Sequence, residues 1–146
     1  MNTFTNIFLA AFFVYSATAF LLGVKRKNNP FGLAKWFLPL GVFVWIDSVV
    51  FGLFFAITSL LCLFFQQWIL FLLIVSVFWT IRAIGEQVYW FLEQFAHTHR
   101  NAPHTLWPTR WFKGEETWIV MQTTWQCVTV IGVISSVWLF FKFLLP

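Results

Sequence analysis

Long apolar runs separated by short polar segments dominate the chain. Residues 4–24 carry no charged side chain, and this length is enough for one helix to cross a hydrocarbon core of about 30 Å. Residues 36–81 carry one charge, Asp47, and a single helix over this run would be roughly 69 Å long. The run is therefore expected to hold two helices that reverse at Gln66 and Gln67, beside the interfacial Trp68.

The pattern predicts an all-α, polytopic membrane protein with one domain, a four-helix transmembrane bundle. The predicted helices are residues 4–24, 36–63, 67–96 and 116–141. Between the last two lies a polar segment, residues 97–114, that contains Pro103, Pro108 and two tryptophans. This segment is expected to form a loop at the membrane interface.

Composition supports the membrane assignment. Apolar residues make up 60% of the chain and charged residues 10%, whereas soluble domains average about 45–50% and 25%. A soluble protein is therefore excluded. The formal net charge is +4, but the basic residues lie almost wholly between the apolar runs. Because such a distribution reflects membrane topology, no nucleic-acid partner is expected.

The basic residues also predict the orientation of the chain. Seven of them lie in the two loops on one side, and one lies beyond the fourth helix. The first loop contains Lys25, Arg26, Lys27 and Lys35, and the second contains Arg100, Arg110 and Lys113. We expect both loops to face the cytoplasm, or the equivalent organellar compartment, and both termini to lie on the non-cytoplasmic side. The membrane is expected to be a bacterial or organellar inner membrane.

Two charged residues, Asp47 and Arg82, stand out among those inside the predicted helices. Each costs at least about 2.5–3.5 kcal/mol to insert, so each needs a partner or a function. Asp47 lies eleven residues after Trp36, and Arg82 lies eleven residues before Glu93, where the third helix is expected to reach the same membrane face. Both separations correspond to roughly 16 Å of helix. Because these depths match, we predict an ion pair between Asp47 and Arg82 at the membrane midplane.

Further polar residues extend this pair into a predicted polar cluster. Arg82, Glu86, Glu93 and His97 lie within about 60° of one another around the third helix. The fourth helix adds Gln122 and Gln126, which are one turn apart. The predicted cluster is Asp47, Arg82, Glu86, Gln122 and Gln126. It is expected to specify helix packing, to line a pathway for a substrate or proton, or to contact a partner subunit.

Chemistry beyond this cluster has little support. Glu93, His97, His99 and His104 are weak candidates for zinc or iron ligands, and the alternative is a solvated loop at headgroup level. No histidine lies inside a span, so a membrane haem lacks its usual ligands. Cys62 and Cys127 lie in different spans and form no redox motif. We expect no cofactor and no catalytic residue.

The sequence favours a non-enzymatic role. The leading hypothesis is a small integral subunit or accessory protein of a larger membrane complex, with the lipid bilayer and other subunits, or further copies of itself, as partners. The alternative is a small proton- or ion-coupled transporter or channel component that uses Asp47, Arg82 and Glu86. An enzyme acting at the cytoplasmic interface through Glu93 and the histidines ranks last.

Overall fold

The computed structural model describes residues 2–96, 111, 112, 114 and 116–145. These residues form four α-helices: α1 (Thr3–Lys25), α2 (Trp45–Phe64), α3 (Trp68–Gln94) and α4 (Glu116–Leu144). A 3₁₀ helix, Lys35–Leu40, precedes α2. All four α-helices are long and apolar enough to cross a membrane. The prediction of an all-α chain with four such helices is confirmed.

The chain divides into two compact units, Met1–Leu72 and Leu73–Pro146. The first unit contains α1, the 3₁₀ helix, α2 and the start of α3. The second contains the rest of α3 together with α4. The assignment of all four helices to a single bundle stays a prediction.

Small residues line the contact between α1 and α2. A β-carbon added to Gly23 would meet the hydroxyl of Ser48, and one added to Gly52 would meet the backbone of Ser16 and Phe20. Gly23, near the end of α1, meets Ser48 at the start of α2, and Ser16, earlier in α1, meets Gly52, later in α2. The two helices are therefore antiparallel. Small side chains let the helix backbones approach closely, as is common between helices in membranes.

The segment before α2 differs from the prediction. We expected the second helix to begin at residue 36, and this is wrong, because α2 begins at Trp45. Pro39 lies inside the 3₁₀ helix, and Gly41 follows it with a φ of 69°. A proline removes a backbone donor and a left-handed residue turns the chain, so an α-helix cannot continue through this segment.

Backbone hydrogen bonds fold this segment back on itself. Ala34 N donates to Phe43 O at 3.0 Å, and Trp45 N donates to Gly32 O at 3.1 Å. Ile46 N donates to the oxygen of Pro30 at 2.9 Å. The residues between α1 and α2 therefore form an ordered loop rather than an extension of the second helix.

The reversal between α2 and α3 occupies residues 65–67, where the sequence predicts it. Gln66 adopts a left-handed φ of 56°, and its side-chain amide donates to Leu63 O at 2.8 Å. Gln67 N donates to Cys62 O at 2.9 Å. These bonds satisfy carbonyl groups at the end of α2 that have no partner inside the helix.

In the second unit, α3 and α4 are antiparallel. Ser76, early in α3, donates to the backbone oxygen of Gly132 at 3.1 Å. Later in α3, the ring of Trp90 stacks on that of Trp118, near the start of α4, with 5.8 Å between centroids. Both tryptophans are buried, so they close one end of this helix pair.

Candidate functional site

Asp47 lies in the first turn of α2. Its Oδ2 accepts hydrogen bonds from the backbone nitrogens of Phe43 at 3.1 Å and Val44 at 3.3 Å. A carboxylate at this place satisfies helix-terminal N–H groups and complements the helix dipole. Asp47 therefore caps α2.

The predicted depth of Asp47 depends on where α2 begins. The predicted depth counted helical residues from 36, and the residues between 36 and 45 do not belong to α2. Arg82 lies in the other unit. The ion pair between Asp47 and Arg82 stays a prediction, but the matching depths no longer support it.

Arg82 and Glu86 form an ion pair along α3, one turn apart. Arg82 Nη2 lies 3.1 Å from Glu86 Oε1, and the two side chains are 21% and 13% exposed. Both groups lie in a helix long and apolar enough to span a membrane. Pairing reduces the cost of placing two charges in such a helix.

Glu93 also lies on this face of α3 and is buried. The three histidines with which the sequence grouped it, His97, His99 and His104, lie outside the described residues. The weak metal site predicted from Glu93 and these histidines therefore stays a prediction.

A second set of polar residues joins α3 to α4. The Gln87 amide donates to the hydroxyl of Thr129 and, at 3.3 Å, to the backbone oxygen of Trp125. Ser76 donates to Gly132 O, and the hydroxyl of Ser136 donates to that of Ser76 at 3.0 Å. A β-carbon added to Gly132 would meet the hydroxyl of Thr80, so Thr80 also faces α4. We name this set the α3–α4 seam; its members are Ser76, Thr80, Gln87, Thr129, Gly132 and Ser136.

The α3–α4 seam and the ion pair occupy different faces of α3. At 100° per residue, the seam residues of α3 lie about 120° around the helix from Arg82, Glu86 and Glu93. The sequence prediction singled out the charged face, whereas the hydrogen bonds to α4 come from the uncharged one. The signal that could have found them is the spacing of Ser76, Thr80 and Gln87, which follow one another at four and seven residues and therefore lie on one face of the helix.

Of the two predicted contributions of α4, Gln126 lies off the seam, whereas Gln122 lies within about 20° of Thr129 around the helix. Gln122 is half-buried and Gln126 is exposed. In the described part of the chain, the bonds from Gln87 run to Trp125 and Thr129 instead. The pairing of Gln122 and Gln126 with the charged face of α3 stays a prediction.

The exposed side of α4 carries polar residues as well. Thr123, Gln126 and Cys127 are exposed, and the centre of this group lies roughly 140° around the helix from the seam residues of α4. We name these three residues the outer patch. Thr124 is also exposed, but its hydroxyl bonds to Val120 O of its own helix at 2.8 Å.

Comparison of the chain with models of protein families, with curated proteins and with solved structures finds no significant match.

Proposed function

We propose that the chain is a small integral subunit or accessory protein of a larger membrane complex, and that the outer patch of α4 contacts a helix of the partner. The observation that carries this proposal is the exposure of Gln126 together with Thr123 and Cys127 on one face of an apolar helix. A role in assembly accounts for polar groups on a surface that otherwise faces lipid.

The depth of Gln126 supports this role. Gln126 lies ten residues beyond Glu116, the first residue of α4, or about 15 Å along the helix. An amide at such a depth has no water to bond with and is costly against lipid tails. Asparagine and glutamine commonly bond across helices in membranes, so a partner helix is the natural occupant of this face.

The α3–α4 seam supports the same conclusion. Its hydroxyl and amide groups bond to one another and to backbone oxygens, so they hold two helices together. Polar residues that bond two helices together in this way have a structural role, and their presence does not require a transported solute. We infer that both loops face the cytoplasm or its organellar equivalent, in a bacterial or organellar inner membrane, with both termini on the opposite side.

Extraction of the tagged chain in mild detergent tests the proposal. The chain is expected to bring down a partner in stoichiometric amount, or a second, differently tagged copy of itself. Gln126→Leu should reduce the recovered partner about threefold or more, since interhelical bonds in membranes average about 0.6 kcal/mol and reach about 1.7. A monodisperse chain that migrates alone would contradict the proposal.

Thr124→Val is the matched control for this experiment. It also removes an exposed polar group from the same turn of α4, but that hydroxyl is already bonded to Val120 O. Recovery of the partner with Thr124→Val should equal that of the unchanged chain. If both substitutions reduce recovery equally, general hydrophobicity rather than the outer patch controls the association.

A second candidate function is a small proton- or ion-coupled transporter or channel component that uses Asp47, Arg82 and Glu86. The half-buried ion pair between Arg82 and Glu86 inside α3 favours it. Glu86→Gln should then abolish proton-coupled flux in liposomes, whereas Glu116→Gln, at the exposed start of α4, should not. Equal flux with and without the Glu86 carboxylate would reject this function.

A further inference from the structure

The loop end of the α1–α2 hairpin contains a cavity of about 380 Å³. Two of its lining residues are cations, Arg26 and Lys35, and the others are apolar or aromatic. These others include Leu22, Leu33, Trp36 and Trp45. Because α1 ends at Lys25 and α2 begins at Trp45, the cavity lies where both helices leave the apolar span. This is the level of the lipid headgroups.

Contacts to α1 fix the walls of the cavity. The Tyr15 hydroxyl donates to the backbone oxygen of Trp36 at 2.6 Å, and the Tyr15 ring lies 5.3 Å from that of Phe37. Phe37 is buried and its ring lies 6.3 Å from that of Trp45. The 3₁₀ helix that carries Lys35 and Trp36 is thus anchored to both helices. A ligand would not need to order this wall, which favours binding.

The charges around the cavity favour an anion. The Arg26 guanidinium carbon lies 4.8 Å from the centroid of the Trp45 ring. A guanidinium stacked in this way keeps the N–H groups at its edge, which can donate in pairs to a phosphate. Residues 2–72 contain four basic residues and one acidic residue, Asp47, whose Oδ2 accepts bonds from the backbone. The local net charge is therefore positive.

We propose that this cavity binds the phosphodiester headgroup of an anionic phospholipid. Arg26 and Lys35 bind the phosphate, and Leu22 and Trp45 contact the first part of the acyl chains. Trp36 and Phe31 on the same loop are 85% and 81% exposed. Aromatic residues with this exposure are typical of the membrane interface, so a lipid reaches the cavity directly from the bilayer.

The fold brings a further basic residue, Lys35, to the basic end of α1. The run of Lys25, Arg26 and Lys27 is shorter than the four to eight basic residues typical of lipid recognition. Folding adds Lys35 to the group and places it with Arg26 at one cavity. Lys25 and Lys27 do not line that cavity, so they provide a matched control. The proposal is independent of the role of the outer patch.

Lipid retention in nanodiscs tests the proposal. The full chain is reconstituted in phosphatidylcholine with a minor fraction of phosphatidylglycerol, and retained lipids are counted by native mass spectrometry. Arg26→Gln with Lys35→Gln should reduce phosphatidylglycerol retention at least about tenfold. Lys25→Gln with Lys27→Gln removes the same charge at the same end of α1 and should retain markedly more. Equal loss in both double variants, or equal retention of the two lipids, would overturn the proposal.

Two further measurements separate binding from folding and lipid from free phosphate. Because Arg26 also stacks on Trp45, Lys35→Gln alone is compared with Lys27→Gln alone, and near-UV circular dichroism verifies that each is folded. Lys35→Gln should still reduce retention, and an effect equal to that of Lys27→Gln would contradict the proposal. Excess inorganic phosphate should not displace the lipid; displacement would assign the cavity to free phosphate.

Discussion

Gly52 of α2 lies directly against Ser16 of α1. A β-carbon added to Gly52 would stand 2.9 Å from the backbone oxygen of Ser16 and 2.6 Å from the backbone nitrogen of Phe20. Both atoms belong to the backbone of a helix, so they cannot move aside as a side-chain tip would. The distance between α1 and α2 is therefore set by the absence of a side chain at Gly52.

We expect Gly52→Ala to weaken the α1–α2 hairpin by about 1–3 kcal/mol, the usual cost of overpacking a close contact. Cys62 is buried in the first unit, whereas Cys127 is exposed. In a Cys127→Ser background, the rate of maleimide labelling at Cys62 reports opening of the hairpin. Gly52→Ala should raise this rate at least about fivefold.

Gly85→Ala is the control for this prediction. Nothing lies within 4 Å of a β-carbon placed at Gly85 on α3. Alanine also favours a helix over glycine by about 1 kcal/mol. Labelling of Cys62 in Gly85→Ala should therefore stay at the rate of the unchanged chain. An equal increase in both variants would show that the labelling rate does not depend on the contact at Gly52.

The amide of Gln87 is expected to stabilise the α3–α4 pair. Gln87→Leu removes its bonds to Thr129 and to Trp125 O. Measured interhelical bonds in membranes average about 0.6 kcal/mol and reach about 1.7. A double-mutant cycle of Gln87→Leu with Thr129→Val, followed by unfolding in detergent mixtures, should give a coupling free energy in this range. A coupling near zero would show that the bond adds nothing to stability.

The two interpretations of Asp47 predict different effects of Asp47→Asn. If Asp47 acts as a cap, Asp47→Asn should be nearly neutral, because asparagine keeps an oxygen that accepts from Phe43 N and Val44 N. Asp47→Ala removes the acceptor and should cost about 1 kcal/mol. If Asp47 instead pairs with Arg82, both substitutions would leave the charge of Arg82 uncompensated and would be similarly harmful. Labelling of Cys62 in the two variants distinguishes these outcomes.

Gly41 is expected to be required for the loop that forms the proposed lipid cavity. Its φ of 69° is left-handed, which costs an ordinary residue about 1–2 kcal/mol. Gly41→Ala should therefore destabilise the loop and lower retention of phosphatidylglycerol. Gly85→Ala again serves as the control. If Gly41→Ala retains lipid normally, the shape of the loop does not determine binding.

Much of the charged and polar chemistry could be located in the sequence, and pairing within one helix could be predicted, but pairing between helices could not. Arg82 and Glu86 are one turn apart, so their ion pair follows from helix geometry alone. Gln87 and Thr129 are distant in the chain, and their contact depends on how α3 and α4 align. The prediction was based on the charged residues because charge in a membrane span is rare, whereas serine, threonine and glutamine are common there.

The sequence by itself determined that the chain is helical and that it has four segments able to span a membrane. In lipid, the backbone N–H and C=O groups of a span find no hydrogen-bond partner outside it, so an apolar run must be helical. The length and position of the apolar runs therefore suffice to predict the helices. Only the tertiary structure decided that α2 begins at Trp45 rather than at residue 36, and that Asp47 is a cap. Residues 36–44 are as apolar as a membrane span, so the hydrophobic pattern does not indicate the turn at Gly41. The contacts of Gly52 and Gln87 likewise depend on the alignment of neighbouring helices, which an apolar pattern leaves open because lipid and a packed helix are equally apolar surroundings.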